Sequence, residues 1–358
     1  MAAHVKVTYE DTGHPGWDAI RFVHRLLMID EPWTQWHDDG FTWWAHELAQ
    51  RYRWEGPIDI DDLPTWFLSV ETDFLCGVTD RSQALAFVNR WNASLEFGVG
   101  ALVVENDRVR LRSRTYAMPE SMEDRARLLS GWGIIANGVA SQLGRVHGSN
   151  PSELVSLGVD PSWAVDASGH PDAGGRETPD EMLGVIGALY VPQGQEPASE
   201  AVDVGLDEAV HSLMGAGVEA VGGEFGGALL ARWRAPYGQL TWRLERAHQH
   251  PTLGFGARSR LFVRLNQDGL VPSAQVAPLV ELAHALNELE GATVQPLIGG
   301  GAWATAEDEE PRVLVYTAFF PNAGLRGRLA QVLATNTWLR GQWLDRVLQE
   351  AAAMAGSR

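Results

Sequence analysis

The stretch DRSQALAFVNRWNASLEFGVGALVVENDRVRLRSRTY, residues 80–116, changes its hydrophobic period midway and so decides the fold class. Asp80 with Gln83 three residues on gives a capping-box-like helix start, because the carboxylate accepts from a free first-turn N–H while the amide side chain reaches back. Behind it Ala84, Val88, Trp91 and Leu95 recur at three- and four-residue spacing and form one apolar stripe. Alternation then takes over in residues 99–105 and 108–116. Glu105-Asn106-Asp107 joins those two runs, and Asn and Asp tolerate the positive φ that a tight hairpin turn needs. A helix of period 3.6 followed by a hairpin of period 2 is an α+β pattern with its core on one sheet face.

Working outward, the first half predicts a helix over 18–28, strands over 41–52 and 66–74, the helix over 80–95, the hairpin, and a long helix from 121 to about 145. The second half predicts the same order: a helix over 206–214, strands over 228–234, 239–245 and 258–265, a helix over 273–289, strands over 293–305 and 312–320, and a helix over 323–350. The second half has one strand more, whose counterpart in the first is expected near 58–60. In the helix over 273–289, Val276, Leu279, Val280, Ala283 and Leu286 share a face, Pro278 falls in the first turn, and Glu290-Gly291 matches a glycine C-cap. FVNRWNASLEFGVGAL (87–102) lies without gaps on LAHALNELEGATVQPL (282–297), with Asn92 opposite Asn287. The final helices of the two halves also match in character. The chain reads as a tandem duplication.

Between the halves, NPSELVSLGVDPSWAVDASGHPDAGGRETPDE (150–181) is rich in Pro, Gly, Ser and Asp and keeps neither period, so it reads as a linker. A short apolar piece at 183–191 fits a strand or a turn of helix equally well. The expected organisation is an N-terminal α+β unit over 1–150, an acidic linker over 151–200 and a C-terminal α+β unit over 201–358.

Charge is unevenly placed. The chain carries −18, and residues 151–228 hold fourteen Asp or Glu against Arg176 alone, leaving about −5 for the remainder. Phosphate backbones are repelled by such a middle, so nucleic acid is not an expected partner, and the acidic segment either meets a basic partner or only keeps the protein soluble. Lys6 is the sole lysine, which removes the lysine of a phosphate-binding loop, a pyridoxal Schiff base or a kinase unless Lys6 serves. Cys76 is the sole cysteine, so neither an intrachain disulfide nor a cysteine-built zinc site is available, and a small buried thiol is its ordinary reading. No run of about 18 apolar residues occurs and the N-terminus lacks signal-peptide order, so a cytoplasmic location without membrane insertion is expected.

In FTWWAHELAQRY, HQHPTLGFGARSRLFVRL, LVELAHALNELEGATVQPLIGGGAWAT and FFPNAGLRGRLAQVL, and in the repeated order of elements, the chain resembles the secretion-chaperone-like superfamily that includes YbjN-type proteins, particularly the multi-domain kind called TY-Chap. The resemblance spans most of the chain except the linker. It implies tandem units of helix, antiparallel sheet, helix, hairpin and helix, which bind other proteins through sheet and helix surfaces. It transfers no catalytic residue.

Five of the fifteen tryptophans, Trp33, Trp36, Trp43, Trp44 and Trp54, fall within 22 residues. Trp43 and Trp44 on one strand point to opposite faces, so one cannot share the other's core. Tryptophan at a protein interface buries much area while keeping one donor, which makes these five the candidate protein-binding residues; the competing reading is a second face covered by the protein itself. His248 and His250 have the spacing of a strand metal pair with Glu245 near, but three ligands lack a fourth, and Pro251 with Gly254 suggests exposed histidines in a turn. Asp59, Asp61 and Asp62 lack the glycine and distal Glu of a calcium loop and read as an acidic turn. His46-Glu47 lacks the second histidine of a zinc protease. Gly254, Gly256 and the run Gly299, Gly300, Gly301 lack the context of a phosphate cradle, and glycines inside a strand mark bulges or close approaches. No nucleophile elbow is present.

Two functions remain. The first is a non-enzymatic, chaperone-like or adaptor protein without cofactor, metal or catalytic residues. The alternative is a small-ligand or metal-binding sensor or enzyme with a pocket between the two halves, lined by His248, His250 and Glu245 or by the glycines at 299–301.

Overall fold

The computed structural model describes residues 7–29, 31, 34–44, 49–75, 77–94, 99–148, 218–221, 228–250, 254–265, 276–292, 297–306, 313–321 and 329–356. In chain order these form α1 (Pro15–Leu26), β1 (Thr34–His37), β2 (Gly40–Trp44), β3 (Ala49–Ile60), β4 (Leu63–Leu75), α2 (Arg81–Ala93), β5 (Ala101–Glu105), β6 (Arg108–Ala117) and α3 (Met122–Gly148). The second half supplies β7 (Val218–Val221), β8 (Ala228–Ala235), β9 (Gly238–His250), β10 (Gly254–Leu265), α4 (Val276–Ala292), β11 (Gly301–Thr305), β12 (Val313–Pro321) and α5 (Leu329–Gly356). The class is α+β, with two six-stranded antiparallel sheets ordered β1-β2-β3-β4-β6-β5 and β11-β12-β10-β9-β8-β7. Counted along the chain, each sheet has the order first, second, third, fourth, sixth, fifth.

Packing divides the described chain into two compact units, and their membership does not follow chain order alone. Of the described residues, 85–94 and 99 belong with the second sheet, and 291–292 and 297–300 with the first.

In the first unit, local chemistry fixes the elements. Pro15 opens α1, and the Asp18 carboxylate in its first turn accepts from the Thr12 N–H at 2.8 Å and the Thr12 hydroxyl at 2.6 Å. Asp80 accepts from the Gln83 N–H at 3.0 Å at the start of α2. Asn106 turns the β5–β6 hairpin at φ 55°. Asp61 and Asp62 sit at φ 51° and 63° between paired Ile60 and Leu63, the geometry of a two-residue primed turn, so this acidic pair is hairpin chemistry.

One face of the first sheet receives α1 and α3. Gln50 donates to the Gly133 carbonyl of α3 at 2.8 Å, Tyr52 donates to Gln50 at 2.6 Å, and Trp54 lies against Gly16 of α1. Ile20, Phe22, Phe41, Leu68, Leu129 and Trp132 fill the space between. The opposite face carries an arginine–carboxylate lattice. Asp73 takes Arg51, Arg108 and Arg110, Glu71 takes Arg112, and Glu55 takes Arg114. In the second unit α5 covers β9 and β10. Trp242 donates to Ser259 at 3.0 Å, Ser259 bonds Thr337 at 2.9 Å, and Tyr237 donates to the Gly341 carbonyl at 3.1 Å.

Several expectations are corrected. The single strand over 41–52 is two strands, and the counterpart sought near 58–60 is the end of β3, which continues past Pro57 through a bulge between Glu55 and Ile58. Proline is tolerated there because the β2 partnership has ended at Arg53. The strand of the first sheet that fills that place is β2, split from β3 within 41–52, and β1 and β7 are one further strand in each sheet that was not expected. β11 begins at Gly301, not 293. Gly291 stands inside α4, and its carbonyl accepts from Arg114 at 2.5 Å, an arginine satisfying a late helix carbonyl where a glycine turn was expected. The helix over 206–214, the apolar piece at 183–191, the linker, Cys76 and His46-Glu47 lie outside the described residues.

Candidate functional site

Trp17, Arg21, His24 and Arg25 recur along α1 at three- and four-residue spacing and face β1, from which Trp36 projects. With Glu31 they line a cleft of about 480 Å³. The Trp17 and Trp36 ring centroids are 6.1 Å apart, Trp36 lies 4.9 Å from His24 and 5.2 Å from Phe41, and Trp54 backs Trp17 at 6.4 Å. The Arg21 guanidinium lies 5.6 Å from the Trp17 ring centre, a cation–π distance. Trp36 donates to Glu31 at 3.2 Å, while Glu10 engages Arg25 at 2.7 Å.

β1 ends the first sheet. One edge pairs with β2 from Thr34↔Trp43 to His37↔Gly40, and the other meets no strand among the described residues. Trp36 keeps 38% of its surface exposed, so an aromatic face and an open strand edge stand side by side.

His24 is held below its ordinary pKa by burial, which the Glu31 charge only partly opposes, so the ring is neutral at pH 7. Its Nε2 lies 3.3 Å from the Thr34 hydroxyl and 4.0 Å from Glu31. Both contacts fall on one ring nitrogen, so the carboxylate does not orient a base toward the hydroxyl as a nucleophilic triad requires. What the cleft offers is stacking area, guanidinium donors and a backbone edge.

Of the tryptophans expected to bind, Trp36 lines the cleft and Trp54 supports it. Trp43 and Trp44 point to opposite faces of β2 yet are 7% and 6% exposed, so both faces there are covered. Trp33 lies outside the described residues. Trp17 and Arg21 were not anticipated; their signal was the i, i+4 spacing on a helix preceding an edge strand.

The histidines are not in a turn. The β9–β10 ladder runs to His250↔Gly254, and His250 is 2% exposed against Phe319 at 4.7 Å. His248 sits 3.3 Å from Glu245, and no group of three or more His, Cys, Asp or Glu able to hold a metal ion occurs among the described residues. Asp59 is an exposed residue near the end of β3. Gly254 and Gly256 lie in β10 beside a bulge. Gly299 bridges to the Arg114 backbone, Gly300 abuts Trp132 and Gly301 opens β11, each a close approach. No helix among the described residues is long and apolar enough to cross a membrane.

Comparison with protein-family models, with curated proteins and with solved structures finds no match.

Proposed function

We propose that this chain is a non-enzymatic protein-binding protein, chaperone-like or adaptor in action, which holds an extended segment of a partner in the cleft between α1 and the open edge of β1. One observation carries the reading: exposed Trp36 stands on an edge strand, 6.1 Å from Trp17 on the neighbouring helix. A strand edge supplies main-chain hydrogen bonds to an incoming segment, and an aromatic cleft beside it receives that segment's alternate side chains. The two α+β units are read as tandem copies, supported by their identical strand order and by the alignment of Asn92 with Asn287. The resemblance to secretion-chaperone-like proteins points the same way. Within this reading the protein works in the cytoplasm without a cofactor.

The test is affinity capture from the native lysate with tagged wild type and with the Trp17→Ala/Trp36→Ala variant, at low and high salt, after circular dichroism has shown the variant folded. A stoichiometric protein retained by wild type and lost by the variant is expected. Equal retention by both, or a purified protein that carries a small ligand and captures no protein, overturns the reading.

A further inference from the structure

The register of the second sheet places like charges where the first places opposite ones. On the face of the first sheet turned away from α1 and α3, cross-strand neighbours alternate in sign: Arg51↔Glu71, Glu71↔Arg112, Asp73↔Arg110 and Glu105↔Arg108. On the corresponding face of the second sheet, opposite the one covered by α5, Glu245↔Arg258 is such a pair, but the next row is Arg243↔Arg260. Like charges directly opposite on a ladder are destabilising.

Glu245 is the sole carboxylate on that face in β8, β9, β10 and β12, where Arg232, Arg234, Arg243, Arg258, Arg260 and Arg264 stand. On β7, Glu219 occupies the register position opposite Leu230. Glu245 is already saturated. Arg243 lies 2.9 Å and Arg260 3.2 Å from Oε1, while Arg258 and His248, the latter at 3.3 Å, occupy Oε2. Three guanidinium groups and an imidazole therefore share one carboxylate. Burial and the neighbouring Arg260 hold Arg258 below the ordinary guanidinium range. In the first sheet, burial also disfavours the charge on Arg110, but Asp73, Glu71 and Glu105 outweigh it and hold that guanidinium above its usual value.

We infer that the Arg243–Arg260 pair, flanked by Arg258, is a carboxylate clamp that binds an acidic segment of a partner protein over β9 and β10, where the Arg243 and Arg260 side chains keep 44% and 25% of their surface exposed. A second carboxylate between Arg243 and Arg260 restores the alternation that the first sheet contains internally, and charge-assisted guanidinium–carboxylate bonds are among the stronger hydrogen bonds. Arg258 and Arg260 stand one two-residue step apart on β10, about 7 Å, which matches alternate side chains of an extended acidic peptide. A long polyanion is disfavoured because the chain as a whole carries −18, whereas a short acidic segment meets chiefly the local field. This surface lies on a different sheet from the Trp17–Trp36 cleft and stands or falls separately from it.

The experiment titrates a short synthetic peptide with glutamate at alternate positions into the full chain, read by fluorescence anisotropy. Saturable binding is expected, weakened at least tenfold by Arg243→Gln/Arg260→Gln and by high salt, with circular dichroism showing the double variant folded. A peptide that does not bind, or binds the variant equally, overturns the proposal. Tighter binding of an oligonucleotide of equal charge through the same arginines overturns it in favour of nucleic acid. Peptide binding that emerges only after the acidic residues of 151–217 are neutralised overturns it in favour of the chain's own acidic stretch.

Discussion

Asn287 of α4 and Trp303 of β11 exchange two hydrogen bonds: the Asn287 amide donates to the Trp303 carbonyl at 2.9 Å and its oxygen accepts the Trp303 N–H at 2.8 Å. β11 is the last strand of its sheet, so a helix side chain takes the place of a neighbouring strand. Asn89 of α2 repeats the device, accepting the Thr305 N–H at 2.9 Å and donating to the Thr305 hydroxyl at 2.8 Å. Asn287→Ala leaves a buried N–H and carbonyl without these partners, and a loss of about 2–4 kcal/mol is expected by urea unfolding. Asn89→Ala should cost about half as much, because one backbone group is affected instead of two.

Gly133 sits where α3 crosses Tyr52, and a Cβ there would lie 2.0 Å from the tyrosine hydroxyl. Tyr52 is fully buried and its hydroxyl is tied to Gln50, so it has little room to yield. Gly133→Ala should destabilise the first unit by about 1–3 kcal/mol despite alanine's better helix propensity. Adding Tyr52→Phe removes the clashing oxygen and should recover part of the loss, measured by the same unfolding curve.

Arg340 is buried in the second unit, donating through Nε to both Glu290 oxygens at 3.0 Å and through Nη1 to Asn336 at 3.1 Å, with its guanidinium 3.7 Å from the Tyr316 ring centre. Trp303 donates to the same carboxylate at 3.1 Å. Arg340→Met strands that charge in the core and should cost about 3–5 kcal/mol, whereas Arg340→Met with Glu290→Gln should cost clearly less. Equal losses in thermal unfolding would refute the pairing argument.

Burial raises the Glu245 pKa, but the His248 hydrogen bond and the charges of Arg258, Arg260 and Arg243 outweigh it and bring the carboxyl down to about 2 from 4.5. A carboxyl depressed in the folded state stabilises above its unfolded pKa and loses that contribution as pH falls through the folded one. About 3 kcal/mol should therefore disappear between about pH 4.5 and pH 2. In Glu245→Gln that part of the acid dependence should be absent, leaving a shallower stability profile over the window.

The α+β class was legible because the change of period at residues 80–116 is local information, and the helix found at Arg81–Ala93 and the hairpin of Ala101–Glu105 with Arg108–Ala117 follow directly from it. The alignment set Asn92 opposite Asn287, yet the asparagine that repeats the Asn287 contact is Asn89. What a sequence alignment does not carry is which sheet a helix closes, so the bond from Asn89 to β11 was out of reach. β1 was missed because four residues are too short a run to show alternation. The cleft escaped for a related reason: Trp17 and Trp36 are 19 positions apart on elements of different period, and only their packing unites them. The arginine alternation of RVRLRSR was in plain view but has meaning only through the register that sets Arg108, Arg110 and Arg112 opposite Glu105, Asp73 and Glu71.

The central claim is that partner protein is held at the α1–β1 cleft. A photo-crosslinking amino acid placed at Trp36, and in a separate chain at exposed Leu63 on β4 as a control, tests it most directly in the native cell. The account predicts one discrete protein adduct from position 36 and none from position 63. No adduct at 36, or the same adducts from both positions, would contradict it.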